Sequence, residues 1–187
     1  MTSSRRLLAA LFVVYLVLLT WVVMWKLEVP SVGGGFRNVK LTPFVSSNGD
    51  GASQPREVWA NLLLFVPFGV YLSLLGPQSS RLRVMLAAAA TSMTFEVAQY
   101  VLAVGRTDIT DVIVNTAGAV VGMTCGLMAR HGLGARTHRI VARASAVATV
   151  LALAGCAIFA GTPLRHGPPD VVCDSHGSCR TGADLVR

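Results

Sequence analysis

Charged side chains are scarce in this chain of 187 residues. Asp, Glu, Lys and Arg together make up 13% of it, whereas a soluble domain carries about 25%. That scarcity excludes an ordinary soluble domain, because a water-facing surface needs more charge. Apolar residues take the place of the charge, at 53% of the sequence and a mean hydropathy of +0.60. The composition predicts an all-α integral membrane protein of the cell membrane.

The sequence also lacks the short motifs that identify common enzymes. It contains no Gly-x-Ser-x-Gly elbow, no His-Glu-x-x-His zinc motif and no phosphate-binding loop. His131 and His138 lie in a basic segment and are expected to be solvated. We therefore expect neither a cofactor nor a metal. The net charge of +7 is concentrated between apolar stretches, which indicates membrane topology and favours no nucleic-acid partner.

Five apolar stretches approach the length of about 20 residues that a bilayer-spanning helix requires. They are residues 7–25, 58–75, 82–104, 112–128 and 140–160. The first stretch is longer than the usual apolar core of a signal peptide, and no Ala-x-Ala cleavage site follows it. We therefore expect that the N-terminal segment is not cleaved. The sequence predicts a cytoplasmic N-terminus (1–6), a four-helix core (7–128) with an outer loop (26–57), a basic cytoplasmic loop (129–139), a fifth helix (140–160) and an extracytoplasmic tail (161–187).

Arginines in the short connections set the orientation of this five-helix bundle. Because short cytoplasmic segments are enriched in Lys and Arg, the Arg-dense segments are expected to lie inside the cell. They contain Arg5, Arg6, Arg81, Arg83, Arg130, Arg136, Arg139 and Arg143. The N-terminus is then inside and the C-terminus outside.

The four cysteines fall into two groups. Cys125 and Cys156 lie inside apolar stretches and are expected to be packed thiols. Cys173 and Cys179 lie in the tail, where an oxidising exterior permits a disulfide between them. A metal site formed by the tail cysteines with His166 and His176 is the alternative, although the spacing matches no recognised zinc motif.

Polar residues of three predicted helices converge near the outer surface in this orientation. Charged groups inside a membrane span are costly, so such a group is a functional-site hypothesis by default. The same face of the fourth helix continues into a small-xxx-small pattern that permits close helix packing. The candidate binding residues are Asn61, Glu96, Gln99, Arg106, Asp108, Asp111 and Asn115.

Each of these residues also has a purely structural interpretation. Asp108 or Asp111 could cap the fourth helix, since Asp accepts backbone N–H bonds at an N-terminus. Asn61 and Asn115 could join helices, and Arg106 could pair with a carboxylate. The whole group would then be a polar clasp that holds the helices together. Arg106 also suits a carboxylate or phosphate ligand, and Glu96 or Asp111 could serve as a general acid or base.

The motifs around these residues resemble those of the VanZ-like family of small membrane proteins. The resemblance rests on Asn61-Leu-Leu-Leu-Phe-Val-Pro-Phe-Gly69, on Glu96-Val-Ala-Gln99 and on Arg106-Thr-Asp-Ile-Thr-Asp-Val-Ile-Val-Asn-Thr-Ala-Gly118. Leu41-Thr-Pro-Phe44 is a fainter match. The resemblance covers residues 38 to 126 and leaves out the fifth helix and the tail.

The family's named member is associated with reduced sensitivity to glycopeptide antibiotics, especially lipid-bearing teicoplanin. The resemblance implies a binding or interaction role in the cell envelope that lowers glycopeptide access. The expected partners are membrane lipids and a lipid-linked or glycopeptide ligand, and no oligomeric state follows from the sequence. The alternatives are a membrane enzyme acting on a lipid-linked or cell-wall substrate and a small transporter subunit.

Overall fold

The described residues form helices and two small strand pairs. The computed structural model describes residues 3–25, 32, 39–40, 42–44, 55–76, 80–104, 107–161, 171–173 and 179–181. The helices are α1 (Ser3–Trp25), α2 (Pro55–Leu75), α3 (Arg81–Leu102), α4 (Ile109–Leu133) and α5 (Thr137–Gly161). The strands are β1 (Val39–Lys40), paired with β2 (Thr107–Asp108), and β3 (Val171–Cys173), paired with β4 (Cys179–Thr181). The predicted helical class is confirmed, and each apolar stretch corresponds to one helix.

Three stretches among the described residues are long and apolar enough to cross a membrane. They are Ser3–Trp25, Pro55–Leu75 and a third of 50 residues, Ile109–Ile158, which includes α4 and most of α5. Helix α3 does not reach that standard, because Arg81, Arg83, Ser92, Glu96 and Gln99 reduce its apolar character. These three stretches support a membrane protein.

Helices α2 and α4 make the most extensive contact in the bundle. A Cβ atom at Gly122 of α4 would collide with the carbonyl oxygen of Val66 in α2, and one at Gly118 would collide with that of Leu62. On α2, a Cβ at Gly69 would collide with the backbone of α4. The predicted small-xxx-small packing is therefore present, and it brings the two helix backbones into direct contact.

Helix α1 is held against α2 by aromatic side chains. Phe12 lies with its ring centroid 5.9 Å from that of Phe68 and 5.1 Å from that of Tyr71. The hydroxyl of Tyr15 donates a hydrogen bond of 2.6 Å to the carbonyl of Leu64. Such off-parallel ring pairs stabilise packing beyond the area that they bury. They fix α1 along α2 and so set the positions of both ends of α1.

The segment between α4 and α5 is nearly all helical, which differs from the predicted loop 129–139. Helix α4 continues to Leu133, a single 3-10 turn covers Gly134–Arg136, and α5 begins at Thr137. The prediction followed the end of the apolar run, but Arg, His and Ala sustain a helix as well as apolar residues do. The helix breaks at Gly134, whose φ of 50° is readily adopted by glycine.

Basic side chains from three helices meet at the C-terminal end of α2. Arg5 donates to the carbonyl of Leu75 at 2.8 Å and Arg130 to that of Ser73 at 3.0 Å. The Nε2 atom of His138 lies 3.3 Å from the carbonyl oxygen of Leu74. These carbonyls have no partner within the helix, and cations also favour its negative end. The prediction that His138 is only solvated was therefore wrong. We call this region the arginine end of the bundle.

The cysteines are only partly within the described side chains. Cys125 is exposed on α4, so the prediction of a packed thiol was wrong there, and Cys156 is partly exposed. The register of β3 and β4 places the backbones of Cys173 and Cys179 directly opposite each other. Their side chains, like His166 and His176, lie outside the described part of the chain. The disulfide therefore stays a prediction.

Candidate functional site

Four helix ends meet opposite the arginine end. Asn61, in the first turns of α2, donates through Nδ2 to Oδ1 of Asp111 in α4 at 2.7 Å. Gln99, near the end of α3, donates through Nε2 to the carbonyl of Val23 in α1 at 3.0 Å. The predicted convergence of these side chains is therefore seen in their geometry. We call the group of Lys40, Asn61, Ser92, Glu96, Gln99, Asp108, Thr110, Asp111 and Asn115 the polar cluster.

Asp108 connects α3 to α4. Its backbone N–H donates to Oε2 of Glu96 at 2.8 Å, and its side chain accepts the N–H of Thr110 at 2.8 Å. Asp108 is thus the N-cap of α4, and the predicted capping role for one of the two aspartates is confirmed. Glu96 is almost fully buried, with 3% of its surface exposed.

One level deeper, α3 and α4 are joined by a pair of neutral polar side chains. Nδ2 of Asn115 lies 2.8 Å from Oγ of Ser92, and both residues are buried. Among the described residues, Oδ1 of Asn115 and Oε1 of Gln99 in the polar cluster are buried and have no hydrogen-bond partner. Buried polar atoms nearly always have a partner, so these two need a physical explanation.

The orientation of the Gln99 amide follows from its surroundings. The Val23 carbonyl can only accept a hydrogen bond, so the Gln99 nitrogen must face it. The Gln99 oxygen therefore has to point elsewhere. Together with the Asn115 oxygen, this part of the polar cluster is arranged to receive donors: hydroxyl, amide or ammonium groups, or water.

A segment of the connection between α1 and α2 returns to the polar cluster. Strand β1 runs parallel to β2, with Lys40 opposite Asp108. Nζ of Lys40 lies 3.3 Å from Oδ2 of Asp108, and the Lys40 side chain is only 5% exposed. The backbone N–H of Phe44 donates to Oγ1 of Thr110 at 3.1 Å. This loop segment is therefore fastened to the start of α4.

Sequence reasoning missed three members of the polar cluster: Lys40, Ser92 and Thr110. Ser92 could have been found, because it lies four residues before Glu96 on the same face of α3. Lys40 directly precedes the Leu41–Phe44 motif, but nothing in the sequence indicates that a long loop returns to α4. Thr110 lies two positions after the capping residue, and a hydroxyl at that position does not indicate a role in the polar cluster.

Arg106 lies outside the described residues, so its predicted contacts with Glu96 and Asp111 stay a prediction. Lys40 is the cation that the described residues bring to Asp108. Within the described part of the chain, no group of three or more His, Cys, Asp or Glu side chains is arranged to hold a metal ion.

Comparison with known proteins identifies the family of this chain. A family model described as VanZ/LLP1 matches residues 12–130, a range that contains the whole polar cluster. Protein VanZ of Enterococcus faecium is 36% identical over 142 residues, which cover 74% of this chain and 83% of that protein. No solved structure matches the chain. Taken with the three apolar stretches that could cross a bilayer, these matches establish a membrane protein that belongs to the VanZ/LLP1 family.

Proposed function

We propose that the polar cluster is an outward-facing binding site through which this protein lowers the access of glycopeptide antibiotics to the cell envelope. The observation that carries the proposal is the pair of buried, unpartnered carbonyl oxygens of Gln99 and Asn115. A clasp that only held helices together would gain stability by satisfying both oxygens, because a lone buried acceptor is costly. A ligand that supplies donors would satisfy them instead. Glycopeptides and lipid-linked wall precursors carry many amide and hydroxyl donors.

The proposed topology has five crossings, with the N-terminus inside and the C-terminus outside. Three observations support it. The arginine end gathers Arg5 and Arg130 with the starts of α3 and α5, which suits a cytoplasmic surface. The polar cluster lies at the other end of the same helices. Helices α3, α4 and α5 contain 22, 25 and 25 residues, which is long enough to span about 30 Å of hydrocarbon.

Cysteine labelling tests this topology. In intact cells, a cysteine at Ser79→Cys should be shielded from a membrane-impermeant thiol reagent, because the turn before α3 is predicted to be inside. Cys173 should be labelled once reduced, in a background that keeps Cys179 and lacks Cys125 and Cys156. Permeabilised cells provide the control, since both positions should then react. Labelling of the Ser79→Cys position in intact cells would place the polar cluster on the inner side.

The binding role is tested with Gln99→Met, which keeps the side-chain length and removes both polar atoms. Expression of the chain should reduce the sensitivity of a susceptible host to teicoplanin, and the variant should lose that protection. The lost bond to Val23 is worth only about 0.6 kcal/mol between membrane helices, so the variant should still fold. Met128→Leu is the matched control, because that side chain faces outward at 69% exposure.

The amount of folded protein distinguishes a site from a clasp. Size-exclusion chromatography of solubilised membranes measures it for each variant. Lost protection with an unchanged folded fraction supports the binding site. If protection and folded protein fall in parallel across Gln99→Met, Asn115→Leu and Glu96→Gln, the polar cluster is a clasp and the proposal fails.

A membrane enzyme is the second candidate, favoured by the buried carboxyl group of Glu96 at the start of α4. Glu96→Gln keeps an oxygen to accept the Asp108 N–H but cannot exchange protons. An enzyme should lose activity in this variant while it still binds its ligand, whereas a binding protein should change in affinity and protection together.

A proton-coupled transporter subunit, the third candidate, should lose protection when the proton gradient is collapsed.

A further inference from the structure

Three exposed arginines follow one face of the first turns of α5. Arg136 lies in the 3-10 turn that leads into the helix, and Arg139 and Arg143 follow at spacings of three and four residues. Residues at these spacings share a helix face. All three arginines are exposed, whereas Ala142, on another side of the helix, is 2% exposed and packs in a cluster with Leu8 of α1. The arginine face is therefore directed away from the bundle.

No carboxylate among the described residues is placed to neutralise these arginines. The sequence has no Asp or Glu in residues 1–27, 58–95 or 112–169, which include every segment that builds the arginine end. Among the described residues, Lys40 and Asp108 of the polar cluster form a salt bridge. Arg5 and Arg130, by contrast, donate to carbonyls of α2. The three arginines of α5 are thus left to attract an anion from outside the protein.

The same face of α5 becomes apolar beyond Arg143. Val147, Val150 and Leu151 lie one to two turns further along and are 61%, 64% and 67% exposed. By the 3.6-residue period they continue the face that begins at Arg139. One exposed strip therefore carries guanidinium groups at its start and branched aliphatic side chains along the rest.

We propose that this strip of α5 binds an anionic phospholipid. The guanidinium groups of Arg139 and Arg143 contact the phosphodiester, for which the planar guanidinium fork is suited. The acyl chains lie along Val147, Val150 and Leu151. The family model ends at residue 130, before α5, so this site belongs to a part of the chain that the family match does not cover. It does not depend on the function proposed for the polar cluster.

Native mass spectrometry of the full chain tests the proposal. The protein is titrated in detergent with phosphatidylglycerol or with phosphatidylcholine that has the same acyl chains. Phosphatidylglycerol should bind more tightly. Replacing Arg139 and Arg143 with glutamine should weaken its binding by about fivefold for each charge removed, because an arginine near the surface contributes about 1 kcal/mol. Replacing both with lysine should give an intermediate loss, since charge remains but the fork does not.

The matched control is the pair Arg81→Gln and Arg83→Gln on α3, which removes two exposed arginines from the same end of the bundle. This control should keep the wild-type affinity for phosphatidylglycerol. Equal losses in the α3 and α5 pairs would mean that only diffuse charge attracts the lipid, and would overturn the site. Equal binding of the two lipids to wild type would overturn it as well. Inorganic phosphate should not displace the lipid, and displacement would show a free-phosphate site instead.

Discussion

Gly122→Leu should abolish the folded bundle, and Gly122→Ala should already weaken it. A Cβ atom at this position would collide with the carbonyl oxygen of Val66, which belongs to the α2 backbone and cannot rotate away. Overpacking a well-packed core costs about 1–3 kcal/mol even where side chains can adjust. That cost exceeds the gain of about 1 kcal/mol from replacing glycine by alanine in a helix. Thermal unfolding of the detergent-solubilised protein measures both changes.

Gly155→Ala is the matched control for this prediction. Gly155 lies in α5, and a Cβ atom added there would meet no atom within 4 Å. The same chemical change should therefore be neutral or slightly stabilising. If Gly122→Ala and Gly155→Ala gave the same unfolding temperature, the backbones of α2 and α4 would not be in contact, and the polar cluster would lack its framework.

The helices were predictable because each is apolar for about the thickness of a bilayer. The ends of the helices were less predictable, because hydropathy marks where a helix leaves the hydrocarbon and not where its backbone hydrogen bonds end. Helix α4 shows the difference: its apolar run ends at residue 128, yet its backbone continues through Arg130 to Leu133. Helix α3 shows the opposite problem, because its polar face makes it less apolar than the three spanning stretches.

The polar cluster was predictable from alternating helix directions, which bring Asn61, Glu96, Gln99 and Asp111 to one end. The hydrogen-bond and ion-pair partners within the polar cluster were not predictable from the sequence. The sequence suggested Arg106 as the cation that neutralises the carboxylates, whereas the described residues place Lys40 beside Asp108. Pairing of β1 with β2 joins residues more than sixty positions apart, and no local pattern encodes such a contact. Nor could spacing show that Gln99 uses its nitrogen on Val23 and leaves its oxygen without a partner.

The contact between Lys40 and Asp108 should be strongly coupled to the stability of the bundle. Lys40 is 5% exposed and Asp108 is 18% exposed, so water screens the pair less than it would a surface pair. Removing one member of a buried pair costs about 3–5 kcal/mol, because the other charge loses its partner in a poorly solvated place. Since Asp108 is partly exposed, we expect Asp108→Asn to fall at or below the lower end of that range. Thermal or denaturant unfolding of the solubilised protein provides the measurement.

Two further variants separate the charge of Asp108 from its capping role. Asp108→Asn keeps an oxygen for the Thr110 N–H, whereas Asp108→Ala loses the cap as well and should cost about 1 kcal/mol more. Lys40→Met removes the buried ammonium and keeps an apolar side chain. Combined with Asp108→Asn, it should restore part of the lost stability, with a coupling energy of about 0.5–3 kcal/mol. Strictly additive effects of the two changes would mean that the pair does not fasten the segment between α1 and α2 to α4, and that the backbone contacts of β1 and Phe44 hold it instead.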